Sequence, residues 1–217
     1  MNLGAIFDWD GVIINSSRYH RKSWERLAEK ENKELPPYYF KKGFGMRNQA
    51  IIPDILKWAT DPGEIKRLAD RKEQFYREIM IKEGISALPG VKSFLETLRR
   101  NKVKIAVASS TPRLNINTAL SLLGLEDYFQ AIVAAEDVAR GKPDPQVFLL
   151  AAQKIDLPPE RCVVFEDAYV GIEAAHAAGM KVVAVVGTNE ARRLIRADLV
   201  VNRLDELSVS KMKALFL

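Results

Sequence analysis

The chain has 217 residues, 47% hydrophobic and 28% charged, with a formal net charge of +5. That length suits one α/β domain with a small companion, and the composition is that of a globular protein, not a fibrous or disordered one. No apolar run approaches the roughly 18 residues of a bilayer span, and the 33 basic residues are interleaved with 28 acidic ones, so neither membrane nor nucleic acid is an expected partner.

The chain enters a strand-like segment directly, with no basic leader or cleavage site, and it carries a single cysteine, Cys162. A reducing, cytoplasmic location is the expectation. In chain order, a short apolar run over residues 5–7 stops at Asp8 and Asp10, and Gly11 turns the backbone. Helical patterns follow over 19–31, 48–59 and 64–83, separated by breaks at Pro36-Pro37, Gly43-Phe44-Gly45 and Asp61-Pro62-Gly63. No strand signal interrupts them.

From Lys102 the pattern alternates. Strands are expected at 103–108, 131–134, 163–165, 181–186 and 198–201, with helices at 114–123, 143–155 and 171–178 between them. Pro143 is read as opening the second of these helices, since proline suits a first turn. Continuous apolar strands alternating with helices predict a doubly wound parallel sheet, a Rossmann-like α/β core formed by residues 1–14 and 87–217. Residues 15–86 form a helical insertion after the first strand.

In an open parallel sheet, ligands bind beyond the carboxyl ends of the strands. Four such ends carry polar residues. Asp8 and Asp10 come first: one carboxylate can attack phosphorus while the other moves a proton on and off the leaving and entering oxygens. Both also suit a plain turn. Ser109-Ser110-Thr111 offers hydroxyls and backbone N–H groups to a phosphate, or simply caps a helix. Lys142, in the stiff sequence GKPDP, can offset charge on a phosphoryl group and on the attacking carboxylate. Glu166-Asp167 ends the fourth strand. Mg²⁺ prefers hard oxygen ligands, so Asp167 with Asp8 and the carbonyl of Asp10 makes a site. The same acids also favour a helix N-terminus.

These segments, DWDGV, VASS, GKPDP and FEDAYVGIEAA in that order, resemble the four motifs of the haloacid dehalogenase superfamily over nearly the whole chain. The resemblance implies Asp8 as nucleophile, Asp10 as acid and base, Ser109 and Lys142 on the phosphoryl group, and Asp167 with Glu166 on Mg²⁺. It also implies that the helical insertion is a cap that closes over the site. Within the superfamily, the branch of β-phosphoglucomutases and small sugar-phosphate or phosphoglycolate phosphatases is the one it looks like. Tyr19-His20 with Trp24 resembles that branch.

His20, Trp24 and Leu27 share one helical face, so His20 is either an interface histidine or a group used in substrate binding and closure. Lys72 interrupts an apolar stripe, and either snorkels to the rim or reaches an anionic substrate. Arg47 is a further candidate on the cap side. Asn15, where the mutases carry Asp, and Pro112-Arg113, in place of an uncharged polar loop, depart from the mutase pattern. Arg113 is read as a ligand for a distal carboxylate or second phosphate, beside Ser110. The expected activity is a Mg²⁺-dependent phosphatase of a small phosphorylated sugar or related metabolite, acting through an aspartyl phosphate as a monomer or small homo-oligomer. The alternative is a β-phosphoglucomutase.

Overall fold

The computed structural model describes residues 2–43, 46–186 and 196–217. The break expected at Phe44-Gly45 lies outside them. Strand β1 (Gly4–Phe7) opens the chain. Helices α1 (Ser17–Lys30), α2 (Tyr39–Gly43), α3 (Asn48–Ala50) and α4 (Pro62–Glu83) follow. Helix α5 (Val91–Arg100), strand β2 (Lys104–Ala108), helix α6 (Arg113–Leu123) and strand β3 (Ala131–Val133) continue the chain. After them come α7 (Gln146–Lys154), β4 (Cys162–Glu166), α8 (Tyr169–Ala177), β5 (Lys181–Val185), β6 (Leu199–Val201) and α9 (Val209–Ala214).

Two compact units result, Met1–Asn15 with Ser86–Leu217, and Ser16–Ile85. The first holds a six-stranded sheet in the order β3-β2-β1-β4-β5-β6. Every neighbouring pair is parallel. Strands β1, β2 and β4 are apolar nearly throughout because both faces are covered, and Ile6, Ala106 and Val164 join one core with Val147, Phe148 and Ile172 of α7 and α8. Strand β1 lies between β2 and β4, with Phe7 opposite both Val107 and Phe165. The chain steps outward from β1 to β2 and β3 and then crosses back to β4 on the other side of β1, so a topological switch point stands between the carboxyl ends of β1 and β4. Asp8 follows the end of β1 directly.

The helical unit is built on α1 and α4. Trp24 and Leu27 from α1 and Leu68, Ala69 and Phe75 from α4 share a core with Ile51, Ile52 and Leu56. Asp61 starts α4 cleanly, its carboxylate accepting the Glu64 N–H at 2.9 Å ahead of Pro62 in the first turn.

Two expected helices differ. Over 48–59, α3 runs into a π-helical turn, Ile51–Leu56, and stops at Lys57 in the left-handed region (φ 58°). Pro53 supplies the reason: it has no N–H for an intrahelical bond and its ring crowds the preceding turn, so the coil widens and ends. Helix α7 begins at Gln146, not at Pro143. Asp144 precedes Pro145, which disfavours helical backbone at 144, and the Asp144 carboxylate caps the Gln146 N–H at 3.0 Å. The expectations also passed over α2, α5 and α9.

Candidate active site

Three carboxylates converge at the switch point. The parallel register sets Asp8 level with Ala108 on one side and Glu166 on the other, and its N–H donates to the Phe165 carbonyl at 2.9 Å. Asp8, Glu166 and Asp167 are all buried, and each offers an oxygen within 4.8 Å of the others'. Lys142 arrives from the loop before α7. Its ammonium donates to Asp8 Oδ1 and to Glu166 Oε1, both at 2.6 Å, and packs 4.8 Å from the centre of the Phe148 ring. The Lys142–Pro143 peptide is cis.

Glycines make room for this cluster. Gly11 has φ +83°, and a β-carbon there would stand 2.0 Å from Asp167 Oδ2. At Gly171, on α8, a β-carbon would fall 1.7 Å from Glu166 Oε1. Both carboxylates therefore occupy space that any other residue would fill.

One ammonium faces more than one buried negative charge. Burial drives the Asp8 carboxyl well above the ordinary carboxylate range, with Lys142 opposing the shift and Glu166 and Asp10 adding to it. Asp167 is pushed up in the same way, by burial first and then by Glu166 and Asp8. Burial alone would lower the Lys142 pKa, yet Asp8 and Glu166 hold it above the usual lysine value. A hard divalent cation is the partner this donor set fits, since it would let the buried acids stay ionised. Both oxygens of Glu166 are used: Oε1 accepts from Lys142, and Oε2 accepts the N–H groups of Asp167 and Ala168, each at 2.8 Å.

Asp10 sits in the turn after β1, where the Gly11 N–H reaches the Ile14 carbonyl at 2.8 Å. Its carboxylate accepts the hydroxyl of Thr111. Ser109 follows β2 directly, buried, with its N–H on the Val133 carbonyl at 3.0 Å and its hydroxyl oxygen accepting the Thr111 N–H at 3.1 Å. Ser110 follows, half-buried. The guanidinium of Arg113 goes to Asp137 and to the Ile132 carbonyl, which ties α6 to β3.

The other candidates lie in the helical unit. Lys72 does not snorkel to the rim: it is 1% exposed, and its ammonium contacts His20 Nδ1 at 2.6 Å and Glu73 Oε1 at 2.9 Å. Asn48 donates to the same Glu73 oxygen at 2.7 Å. His20 also lies 4.5 Å from Tyr76, ring centre to ring centre. Burial would raise the Glu73 carboxyl, but Lys72, His20 and the two hydrogen bonds outweigh it and leave the pKa at about 2. Arg47 precedes α3 in extended backbone, half-buried. Sequence reasoning missed Glu73 and Asn48, and read Thr111 only as a donor to phosphate or a helix cap, not as a partner of Asp10. The hydroxyl of Thr111 was visible in the Ser-Ser-Thr run, but nothing local pointed to Asp10 as its partner.

A family model described as a hydrolase, haloacid dehalogenase-like hydrolase, matches residues 4–179. The chain is 42% identical over 216 residues to the chloroplastic 5-amino-6-(5-phospho-D-ribitylamino)uracil phosphatase of Arabidopsis thaliana, covering 98% of itself and 57% of that protein. The chain thus spans little more than half the length of that relative. It is 31% identical over 202 residues to a phosphorylated carbohydrates phosphatase of Thermotoga maritima, covering 90% and 91% of the two chains. Among solved structures, β-phosphoglucomutase from Clostridium difficile is similar with a TM-score of 0.85 and 29% identity, covering 100% of this chain and 97% of that one.

Proposed function

The chain belongs to the haloacid dehalogenase-like hydrolases, and we propose that it is a Mg²⁺-dependent phosphatase of a small phosphorylated sugar or related metabolite, with Asp8 as the nucleophile. One observation carries this reading: the Asp8 carboxylate stands at the switch point with a lysine ammonium 2.6 Å away and two further buried acids around it. A carboxylate so placed can attack phosphorus, and the ammonium offsets the negative charge the reaction gathers. The relatives named as phosphatases of phosphorylated small molecules support the same class.

Asp8, Asp167 and the main-chain carbonyl of Asp10 are the groups we assign to the metal. When bound, Mg²⁺ supplies positive charge against the phosphoryl oxygens and keeps the acids ionised. Glu166, with both oxygens already accepting bonds, holds Lys142 and the Asp167 loop in place. Asp8 attacks phosphorus and forms the aspartyl phosphate as the bond to the leaving oxygen breaks. Asp10 gives its proton to that oxygen. It then takes a proton from the water that attacks the acyl phosphate, which releases phosphate and restores Asp8. Ser109 and Lys142 are assigned to the phosphoryl oxygens.

We assign the helical unit, Ser16–Ile85, the part of a cap that selects substrate, with His20, Lys72 and Arg47 as its candidate contacts. It holds 16 Lys and Arg against 11 Asp and Glu, whereas the rest of the chain holds 17 of each, so the whole net charge of +5 resides there. That excess favours anionic substrates. Asp8→Asn is expected to abolish phosphate release from a panel of phosphomonoesters, and substantial residual turnover would overturn the mechanism.

A second reading keeps the aspartyl phosphate and passes the phosphoryl group to another sugar hydroxyl, as in a β-phosphoglucomutase. Similarity to the Clostridium difficile enzyme favours it. Sugar 1-phosphates assayed with and without a bisphosphate activator separate the two: an isomerised product without phosphate release marks the mutase.

A further inference from the structure

We propose that Thr111 is a positioning residue that holds the Asp10 carboxylate in the orientation needed for proton transfer, an inference that rests on the acid–base role given to Asp10 above. Asp10 has a fixed backbone but a short side chain that could swing. Its turn is closed by Gly11 N–H on the Ile14 carbonyl at 2.8 Å and by the N–H groups of Ile13 and Ile14 on the Trp9 carbonyl at 3.0 and 3.3 Å. These bonds place the α-carbon of Asp10 and leave its side-chain torsions open. Thr111 constrains one carboxylate oxygen, Oδ2, through its hydroxyl.

The threonine itself is anchored on two sides. Its N–H donates to Ser109 Oγ at 3.1 Å, and its carbonyl accepts the Ala135 N–H at 3.1 Å, just beyond β3. It is 6% exposed, and Pro112 follows with its φ fixed by the ring. A β-branched side chain on such a backbone has few rotamers, so its hydroxyl points where the main chain sends it. The route from the Ala135 N–H through Thr111 to Asp10 therefore ties the proposed proton carrier to β2 and β3, strands other than its own. A residue chosen only to cap α6 would not need a hydroxyl directed at a carboxylate 101 positions away.

The test separates protonation of the leaving group from everything else. An alkyl leaving oxygen needs a proton, whereas p-nitrophenolate leaves without one. Thr111→Val should lower kcat/KM about tenfold on ribose 5-phosphate, glucose 6-phosphate and glycerol 3-phosphate, whichever of these the wild type hydrolyses, but less than about threefold on p-nitrophenyl phosphate. Thr111→Ser, which keeps the hydroxyl, should restore the wild-type ratio between the two substrate types. In an Asp10→Asn background, Thr111→Val should add nothing further, because the group it positions is gone. Should the valine variant fail to fold, Thr111→Ala and Thr111→Ser read the same ratio. Equal losses on alkyl and aryl substrates, or full additivity with Asp10→Asn, would overturn the role of Thr111 alone. Absence of phosphate release by the wild type from every probe would overturn the phosphatase reading and this one together.

Discussion

Gly171 presses against Glu166: a β-carbon on this glycine would stand 1.7 Å from Oε1 and 2.0 Å from the carboxyl carbon. Glu166 in turn receives Lys142 and the first two N–H groups of the loop after β4. The missing side chain on α8 thus sets the position of the ammonium beside Asp8. Gly171→Ala should displace Glu166, cost about 1–3 kcal/mol of stability, and reduce kcat more than tenfold, on the order of what a misplaced electrostatic group costs. Denaturant unfolding and steady-state rates check both. Wild-type kcat in this variant would mean that Glu166 does not set the position of Lys142.

Removing the ammonium should be costly even before catalysis is measured. Lys142→Ala leaves Asp8 and Glu166 buried without their cationic partner, and breaking a buried pair from one side costs roughly 3–5 kcal/mol. Lys142→Met, of similar length and equally uncharged, should be as unstable if charge is the cause and close to wild type if packing is. Urea unfolding in EDTA reads the difference.

The acid cluster should announce its cation through stability. Mg²⁺ binding only the native state at a hundred times its dissociation constant adds about 2.7 kcal/mol. A thermal shift on adding MgCl₂ is expected for the wild type. It should vanish in Asp167→Asn, and EDTA should stop phosphate release. An equal shift in that variant would place the ion elsewhere.

Glu73 gives the helical unit a dependence on acid. Its folded pKa is about 2, below the ordinary glutamate value of 4.5, because Lys72, His20 and Asn48 favour the ionised form against burial. A carboxyl lowered on folding contributes stability that is complete above the unfolded value and is lost as pH falls from about 4.5 towards 2. The amount is on the order of 3 kcal/mol. Glu73→Gln should flatten the stability curve across that window and leave Lys72 with a weaker partner. A variant curve parallel to the wild type from pH 5 to 2 would show that the carboxylate is not charged in the folded protein.

With all of the net charge in Ser16–Ile85, kcat/KM for a dianionic substrate should fall as salt is raised from about 0.01 to 0.15 M, where the Debye length shrinks from about 30 to 8 Å. Reversing two exposed cations, Lys66→Glu and Lys82→Glu, should weaken that dependence. A salt-independent kcat/KM in the wild type would exclude electrostatic attraction as a contribution.

Residues 103–108 and 163–165 were legible as strands because buried parallel strands are apolar throughout, and that is a local property. The π-helical turn at Ile51–Leu56 was not. An isolated proline in a helical pattern announces a disturbance but not whether the coil will bend, widen or stop. Lys72 was visible as an oddity in an apolar stripe, yet its partner His20 lies 52 positions away on another helix. No periodicity connects the two.

By itself, the sequence settled which segments would be strands and which loops would carry acids, hydroxyls and a lysine, since hydrophobic pattern and turn chemistry act over a few residues. Only the tertiary structure decided who meets whom: Lys142 reaches Asp8 across 134 positions, Thr111 reaches Asp10 across 101, and two glycines yield their side-chain volume to Asp167 and Glu166. Such pairings depend on strand order and register, which arise when the whole sheet assembles and no short stretch of chain can specify them.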